Sequence, residues 1–349
     1  MNRVYLHSCS FQTASGTKKM AAQFLNQQNE LPYFKAFDGI FTPIKEIHRQ
    51  LDFHIDHILQ QQGWQRQELP QIPILLGSTG YTVTDLEYRL SQNQTLDFDY
   101  NLAALGRHLQ QRYCSPVFHF ATSCTSSAQA VYAAYQMIHS GGCSKAIVVG
   151  LEHFNRFTFE HFYAMNLLAQ EETYRPFVQP QGMILGEGIA CLALSSAAET
   201  AFGCEILAAA SVTDHHNLTN SNAAVLEQLL KRITGQAGIT PEDITAVKTH
   251  GIGGAFDDDE QTLLRQTLPN SKWLLAKPFL GHTLGASGAL ETAWLLENLR
   301  SGHFPPLPYQ NQAQHLPLAH GTPVSDGLYL NYFLGFGGSN VGWLLHWQH

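Results

Sequence analysis

The chain has 349 residues, of which 44% are hydrophobic and 14% charged, enough apolar material for one large or two medium domains. A formal net charge of −8, without any Lys/Arg cluster longer than two residues, argues against nucleic acid as a partner. No apolar run reaches the roughly 18 residues of a membrane span, and the N-terminus lacks the apolar core of a signal peptide. Six scattered cysteines without CxxC pairs fit a reducing compartment, so we expect a cytoplasmic protein.

The first third of the chain contains weak and strong signals in turn. Residues 2–8 predict a short strand, 17–29 a helix, and 44–62 a second helix within a stretch rich in Gln, Phe and His. IPILLGST at 72–79 is a continuous apolar run of the kind that forms a buried strand. Helical patterning then continues to about residue 110.

Residues 117–142, VFHFATSCTSSAQAVYAAYQMIHSGG, predict a strand, a Thr/Ser-rich turn and an Ala-rich helix closed by two glycines. Cys124 therefore lies where a strand passes into a helix. The free N–H groups and the dipole of a helix start lower a thiol pKa and can bind an oxyanion. We predict that Cys124 is a nucleophile. The alternative is a buried structural cysteine, which is the interpretation we prefer for the other five.

Strands and helices alternate through the remainder of the chain. The strands are predicted at 145–152, 188–196, 205–214, 243–250, 273–277, 328–334 and 341–347, and the helices at 221–237, 257–268 and 285–301. About five strands precede residue 200 and about five follow it. We therefore predict an α/β protein with two similar halves, residues 1–200 and 201–349, that share one core. Residues 153–185 predict a loop-rich stretch whose aromatic side chains either line an apolar pocket or pack beneath the loop.

Three further motifs stand at strand ends, where open α/β sheets bind their ligands. They are KTHGIGGAFDDDE (248–260, with His250), AKPFLGHTLGASGALE (276–291, with Lys277, His282 and Glu291) and FLGFGGSN (333–340, with Phe336). The small residues of the second motif let a helix start approach a substrate closely. Each motif alone has an ordinary structural interpretation as a turn or a helix start.

Together with YRPFVQPQGMILGEG at 174–188, these motifs resemble the β-ketoacyl-acyl-carrier-protein synthases of the thiolase superfamily. The resemblance covers roughly residues 117–347 and keeps the order of the family's motifs. It implies a thiolase-like α/β fold with two five-stranded mixed sheets in αβαβα layers. It also implies that Cys124 accepts an acyl chain from the phosphopantetheine arm of an acyl carrier protein. A homodimer or a heterodimer with another ketosynthase-like subunit is expected, and no metal or redox cofactor.

The resemblance assigns roles to the remaining motif residues. His250 and His282 would bind the malonyl thioester carbonyl and stabilise the enolate left by decarboxylation, oriented by Lys277 with Glu291. Neutral imidazoles suit that role because they donate hydrogen bonds without protonating the carbanion. The backbone N–H groups of Cys124 and Phe336 would form the oxyanion hole, with the Phe336 ring at the mouth of the acyl pocket. The implied substrate-binding positions are Gly335, Gly337, Gly338, Ile252, Gly254 and Leu334.

Several positions depart from the family pattern. Ile252 and Gly254 occupy places where threonines contact the pantetheine arm, and Leu334 replaces an aromatic residue. The Asp-x-x-Glu pair that follows the first histidine corresponds to Asp257 and Glu260 only if the loop is one residue shorter. These departures suggest a divergent member from a specialised fatty acid, polyene or polyketide pathway.

Two alternative functions stay open at the level of the sequence. One is a non-catalytic partner subunit that controls chain length beside an active ketosynthase, although such subunits commonly lack the cysteine that this chain retains. The other is a thiolase-like acyltransferase or hydrolase. The turn around Cys124 has no G-x-S-x-G elbow, and the pair of histidines favours decarboxylation over that last interpretation.

Overall fold

The computed structural model of the protein describes residues 1–95, 102–198, 203–216 and 221–349. The strands in these ranges are β1 (Tyr5–Thr13), β2 (Thr17–Phe24), β3 (Gln27–Phe34), β4 (Ile74–Gly77), β5 (Val117–Phe120), β6 (Lys145–Glu152), β7 (Gly188–Ser195), β8 (Gly203–Thr213), β9 (Ile244–Lys248), β10 (Lys272–Leu274), β11 (Gly327–Leu334) and β12 (Ser339–Gln348). The α-helices are α1 (Ile44–Gln62), α2 (Val83–Ser91), α3 (Ala104–Tyr113), α4 (Ser126–His139), α5 (Arg156–Ala164), α6 (Ala223–Ala237), α7 (Asp257–Thr267), α8 (Lys277–Leu280) and α9 (Ser287–Ser301).

The main sheet, as far as the described ranges show it, has the strand order β10-β9-β11-β12-β8-β1-β7-β6-β4-β5. It consists of two sets of five strands with the same order: counted along the chain, each set runs third, second, fourth, fifth, first. Within each set the outer pairs are parallel and the inner pairs antiparallel. The pairing of Tyr5 with Glu205 joins β1 to β8. The two predicted five-stranded mixed sheets are confirmed, and they meet edge to edge.

Helices cover both faces of the two sheets and also separate them. Helices α4 and α9 lie between the halves: α4 contacts β4, β6, β8 and β12, whereas α9 contacts β1, β6, β7 and β11. Helices α1 and α3 pack on the outer face of the N-terminal set, and α6 and α7 on that of the C-terminal set. The order is therefore α, β, α, β, α, as the resemblance implies.

The layering explains the apolar runs of the sequence. Strands β4 and β7 are buried along their whole length, and so is β6 after its first residue. Strands covered on both faces read as continuous apolar segments instead of alternating ones. Helix α9 is buried nearly all round because both halves pack against it. The central layer therefore holds the two elements that follow the Cys124 turn and the His282 turn.

The predicted helix over 17–29 is wrong, because these residues belong to a hairpin of β2 and β3. Leu25 begins the turn with φ of 53°. Tyr33 of β3 packs edge-on against the rings of Phe154 and Phe159, with centroids 5.1 and 5.6 Å away. This packing outweighs the helix propensity of the Lys, Ala and Gln residues in the segment.

Three other expectations have different outcomes. The stretch 153–185, predicted as loop, contains α5. The predicted boundary between residues 200 and 201 falls in 199–202, outside the described residues, and stays a prediction. None of the helices in the described ranges is long and apolar enough to cross a bilayer.

Candidate active site

Cys124 lies in a short 3-10 turn, Ser123–Thr125, that leads directly into α4. Ser123 has φ of 56°, a left-handed conformation that is uncommon for a residue with a Cβ atom. The Ser126 hydroxyl accepts the Thr122 N–H at 3.0 Å and donates to the Ser123 carbonyl at 2.7 Å, which closes the turn. The sequence therefore places Cys124 at the start of the central helix, as predicted, and only 5% of the residue is exposed.

The electrostatic surroundings of Cys124 differ from the prediction. Burial raises the pKa of the thiol above its ordinary value, so the expected lowering is wrong in direction. The Ser123 hydroxyl, the backbone N–H of Phe336 and the Lys277 ammonium oppose this increase, whereas Glu152 adds to it. Removing a thiolate from water costs more than these donors return. The thiol is thus protonated near neutral pH in the resting protein.

Both predicted histidines lie in the turns of the C-terminal half. His250 follows β9 and His282 follows α8; their rings are 6.0 Å apart between centroids and nearly perpendicular. Burial lowers the pKa of His282 to about 3, and that of His250 well below its usual range, with Lys277 adding to both effects. The two imidazoles are therefore neutral at physiological pH. Within the described part of the chain, Nδ1 of His250 has no hydrogen-bond partner, and Nδ1 of His282 lies 3.5 Å from the Ser287 hydroxyl.

Close helix packing brings the two halves of the site together. A Cβ atom on Gly288, near the start of α9, would lie 2.1 Å from the backbone nitrogen of Ala128 in α4. Only glycine allows the two helices to approach so closely. Cys124 precedes one helix and His282 the other, so the same contact sets their relative position. Cys124 shares one buried cluster with Leu284 of the His282 turn and with Ile252 of the His250 turn, so the thiol and the two imidazoles belong to one site. The Lys277 charge acts on all three groups.

A buried ion cluster lies behind the imidazoles. Glu291 of α9 accepts the Lys277 ammonium at 2.7 Å through Oε1, as expected, and the Lys248 ammonium at 2.6 Å through Oε2. The side chains of Lys248 and Lys277 are at most 1% exposed. The sequence analysis did not identify Lys248. The sequence feature that could have indicated it is a lysine at the end of β9, a mostly apolar strand.

Two carboxylates hold the loop that carries His250. Glu260 accepts the backbone N–H groups of His250 and Gly251 at 2.6 and 2.9 Å, and the Tyr332 hydroxyl donates to it as well. Asp257 accepts the N–H groups of Ile252, Gly253 and Phe177 between 2.9 and 3.1 Å. The Asp-x-x-Glu pair expected at these two positions is therefore present and orders the loop.

Two further carboxylates, to which the sequence motifs assign no role in the site, tie other loops around it. Glu152 accepts the backbone N–H groups of Thr79, Gly80 and Gly285. Glu187, in the Gly-Glu-Gly segment, accepts N–H groups of Phe37 and Phe154 among others. Buried carboxylates satisfied by several backbone donors stabilise irregular loops that lack sheet or helix partners.

The glycine turn between β11 and β12 places Phe336 beside the thiol. The N–H of Gly335 donates to the Ser339 carbonyl at 3.0 Å, and Gly337 and Gly338 have φ of 85° and 76°. The turn directs the backbone N–H of Phe336 at the Cys124 sulfur. The Phe336 ring stacks on Phe162, 6.0 Å away between centroids. Leu334 ends β11 and is buried in the core of the C-terminal half.

A cavity of about 720 Å³ opens next to this turn. It is lined by Asn166, Leu167, Pro180, Gly182, Met183, Ser221, Ile252, Gly253, Gly254, Ala255, Phe256, Asp259 and Phe336. The predicted contacts Ile252 and Gly254 belong to its wall, whereas Cys124 does not. The backbone of Ile252 is already paired: its N–H with Asp257 and its carbonyl with the Tyr174 hydroxyl, at 2.9 Å. Phe336 lies between the cavity and the sulfur.

The fold is a duplicated αβαβα arrangement with a thiol before one central helix, an imidazole before the other, and a second imidazole in the turn after β9. This combination is that of the thiolase superfamily. Two family models match the chain: "Beta-ketoacyl synthase, N-terminal domain" over residues 112–200 and "Beta-ketoacyl synthase, C-terminal domain" over residues 204–310. The chain belongs to the β-ketoacyl synthase family.

Curated relatives are fungal polyketide synthases. The non-reducing polyketide synthase SAT8 of Stachybotrys chartarum is 29% identical over 224 residues, which are 60% of this chain and 8% of that protein. The non-reducing polyketide synthase pigA of Monascus ruber is 31% identical over 212 residues, 56% of this chain and 8% of that protein. The chain thus spans less than a tenth of the length of these relatives.

Solved structures match over the whole chain. The ketosynthase ApeO, in complex with its chain length factor ApeC from Xenorhabdus doucetiae, matches with a TM-score of 0.83 and 19% identity, covering 99% of this chain and 98% of that one. A β-ketoacyl synthase from Burkholderia phymatum matches with a TM-score of 0.82 and 18% identity, covering both chains fully. At these identities the matches establish the fold.

Proposed function

We propose that the protein is a β-ketoacyl-acyl-carrier-protein synthase, which condenses malonyl-carrier protein with an acyl chain held on Cys124 and releases carbon dioxide. The observation that supports this proposal is the neighbourhood of the three groups: the rings of His250 and His282 lie 6.0 Å apart between centroids, and the Cys124 thiol is buried among residues of both histidine turns. The thiol supplies a nucleophile and the imidazoles supply hydrogen-bond donors, which are the two requirements of the reaction.

The first half-reaction loads the acyl chain. The Cys124 sulfur attacks the thioester carbonyl of the acyl-carrier protein, the carrier's sulfur leaves, and the thiol proton passes to it. The raised thiol pKa keeps the sulfur protonated until a substrate arrives, and the Lys277 charge favours the thiolate when it forms. The Phe336 N–H beside the sulfur supports the proposed oxyanion hole, in which it would act with the N–H of Cys124.

The second half-reaction forms the carbon–carbon bond. The malonyl carboxylate leaves as carbon dioxide, and its electron pair enters the enolate, whose oxygen accepts hydrogen bonds from His250 and His282. The enolate carbon then attacks the acyl carbonyl on Cys124, and the sulfur leaves as thiolate. Neutral imidazoles have no excess proton to give to the carbanion, which supports this assignment. Lys277, held by Glu291, provides the positive charge that stabilises the enolate.

The substrates and partners follow from the relatives. The cavity lined by Ile252, Gly254 and Phe336 is the proposed site of the phosphopantetheine arm, with backbone and apolar contacts in place of threonine hydroxyls. Polyketide synthases among the relatives and a type II polyketide ketosynthase solved with its acyl-carrier protein support a polyketide pathway, and the ApeO–ApeC pair supports a partner subunit. An acyl carrier protein and a second ketosynthase-like subunit, or a second copy of this chain, are the proposed partners.

A mass-spectrometric experiment tests the proposal. The purified protein, together with its proposed partner subunit, is mixed with acyl-carrier thioesters of increasing chain length. We expect the acyl mass on the peptide that contains Cys124 and its loss when malonyl-carrier protein is added. Cys124→Ala should lower product formation by about 10³-fold or more, because no covalent intermediate can form. No adduct with any carrier thioester would contradict the proposal.

A non-catalytic subunit that controls chain length is the second candidate. It is favoured by the raised thiol pKa and by the cavity wall, which does not include Cys124. Cys124→Ala separates the candidates when the pathway product is measured with the active partner present. An enzyme loses the product, whereas a chain-length subunit keeps its amount and its length. A matched Cys114→Ala variant, at an exposed cysteine, should leave both unchanged.

A further inference from the structure

Lys248 is a buried cation that the proposed chemistry does not use. Besides Glu291, its ammonium donates to the Tyr332 carbonyl at 2.8 Å and lies 3.7 Å from the centroid of the Phe333 ring. All three of its N–H groups therefore have an acceptor or a π face. A fully buried ammonium carries a large desolvation cost, so its partners define its role.

The ion cluster has an uneven number of charges. Lys248 and Lys277 share the carboxylate of Glu291, so the groups joined by direct ion pairs have one positive charge in excess, and all three side chains are buried. Glu260 is the next carboxyl group, and burial raises its pKa. The groups that face Lys248 are Glu291 on α9, Lys277 on α8, Glu260 on α7 and the Tyr332 carbonyl on β11. Without Lys248, the carboxylate would neutralise Lys277 alone.

We propose that Lys248 is a positioning residue, which occupies one oxygen of Glu291 and so leaves the charge of Lys277 directed at Cys124 and the two imidazoles. The net positive charge favours the thiolate and keeps the imidazoles neutral, since Lys248 also contributes to their lowered pKa values. The inference rests on the proposed function only for its catalytic purpose. The charge coupling itself can be measured without any acyl transfer.

The coupling has a specific pH dependence. Burial lowers the pKa of Lys248 to about 8, although Glu291 opposes this. The extra charge is therefore present below pH 8 and lost as the pH rises through that value. Glu152 on β6 and Lys277 on α8 are the charged groups that act directly on the Cys124 thiol. Burial raises the pKa of Glu152 to about 7, so the variants are compared with the wild type at each pH, where Glu152 contributes equally to both.

Alkylation of Cys124 by iodoacetamide between pH 6 and 10, followed by peptide mass spectrometry, tests the proposal. Below pH 8 we expect Lys248→Met to be alkylated about threefold to tenfold more slowly than the wild type, because its thiolate is less stabilised. Above pH 9 the two rates should converge, since Lys248 is then neutral in the wild type. Lys248→Arg should keep the faster rate over the whole range. The exposed Cys114 in the same samples is the internal reference.

A merely structural role gives a different result. Equal rates for the wild type and Lys248→Met below pH 8 would overturn the proposal, and so would a difference that does not change with pH. Where Lys248→Met does not fold, the wild type is compared with Lys248→Arg. Only the wild type loses the charge at position 248 above pH 8, so its alkylation rate should fall below that of Lys248→Arg there.

A second measurement does not depend on the thiol. Carbon-13 NMR of lysine Cε atoms in the wild type should show one lysine that titrates near pH 8 and is missing in Lys248→Arg. Glu291→Gln should move this midpoint to lower pH, because the carboxylate favours the charged lysine. Absence of a lysine with this behaviour would overturn the inference whether or not the protein condenses acyl chains.

Discussion

Phe336 contacts both the Cys124 sulfur and the neighbouring cavity. Its backbone N–H faces the Cys124 sulfur, whereas the residue also forms part of the wall of the neighbouring cavity. We therefore expect movement of this residue to open a path from the cavity to the thiol. The flanking Gly337 and Gly338, with positive φ angles, adopt backbone conformations that residues with a Cβ atom seldom reach.

Phe336→Ala should open the path to the thiol while retaining the backbone donor. We expect iodoacetamide to modify Cys124 about tenfold faster, since local opening is no longer required. Peptide mass spectrometry gives the rate, with exposed Cys114 as the reference that should not change. A rate equal to that of the wild type would mean that the ring is not the barrier.

At the scale of single residues, the sequence indicates which side chains are candidates for the site better than it indicates their burial and pKa. Cys124, His250, His282 and Lys277 could be selected because motif spacing specifies strand ends and helix starts. The direction of the thiol pKa could not be predicted, because it depends on burial by residues distant in the chain. Lys248 was missed for the same reason: its partner Glu291 lies 43 positions away along the sequence.

Among the elements, the β2–β3 hairpin shows where pattern-based prediction fails. Its first strand buries only Ala22, so the segment lacks the regular alternation that identifies a strand. Tyr33, at the end of β3, supplies the packing against the α5 region that stabilises the hairpin. By contrast, α1 and β6 were predicted with their observed bounds. Strand β6 is a continuous apolar run, and the buried residues of α1 recur at helical spacing.

The contact between α4 and α9 depends on a missing side chain. Gly288→Ala should lower the free energy of unfolding by about 3 kcal/mol, because the added methyl group collides with the Ala128 backbone. Urea denaturation measures this change. The matched control is Gly235→Ala in α6, where nothing lies within 4 Å; it should raise the free energy of unfolding by about 0.5–1 kcal/mol. Equal free energies of unfolding for the two variants would show that α4 and α9 can move apart to accommodate the methyl group without cost.

The whole molecule contains many neutral buried histidines. Burial lowers the pKa of His54 and His320 to about 4 and that of His153 to about 3, as it does for His282. In the unfolded chain each would titrate near about 6.5. The unfolded state therefore binds more protons than the folded state between pH 6.5 and 4. These histidines lower the free energy of unfolding as the pH falls through that range.

Two buried carboxylates act in the opposite direction. Burial raises the pKa of Glu152 and Asp257 to about 7, so the folded state binds their protons more tightly and gains stability as the pH falls below 7. The histidines outnumber them. We expect the free energy of unfolding to fall by about 3 kcal/mol between pH 7.5 and 5.0, as measured by urea titration.

His153 provides the control for this pH dependence. Its Nε2–H donates one hydrogen bond, at 2.7 Å, to Oε1 of Gln50, and the residue does not belong to the candidate site. His153→Gln removes one titrating group, so the difference in stability between pH 7.5 and 5.0 should become smaller. Two results would contradict the assignment: a steeper pH dependence of stability in this variant, or a wild type that is more stable at pH 5.0 than at pH 7.5.

At the scale of the whole fold, the sequence was sufficient for the duplicated architecture, because strands and helices alternate in the same order in both halves. It could not indicate that β1 and β8 join the two sheets through Tyr5 and Glu205, since edge pairing leaves no periodic pattern. Nor could it locate the cavity, whose wall combines residues from five separate stretches of the chain.

The repeated strand order also bears on how such a protein could originate. Each half carries a complete five-stranded sheet, yet the thiol belongs to one and both imidazoles to the other. A protein made of a single half would need to pair with a second copy before its nucleophile could meet the hydrogen-bond donors. In the present chain the two halves differ in their reacting groups, and any change to those groups must preserve the close α4–α9 contact where the halves touch.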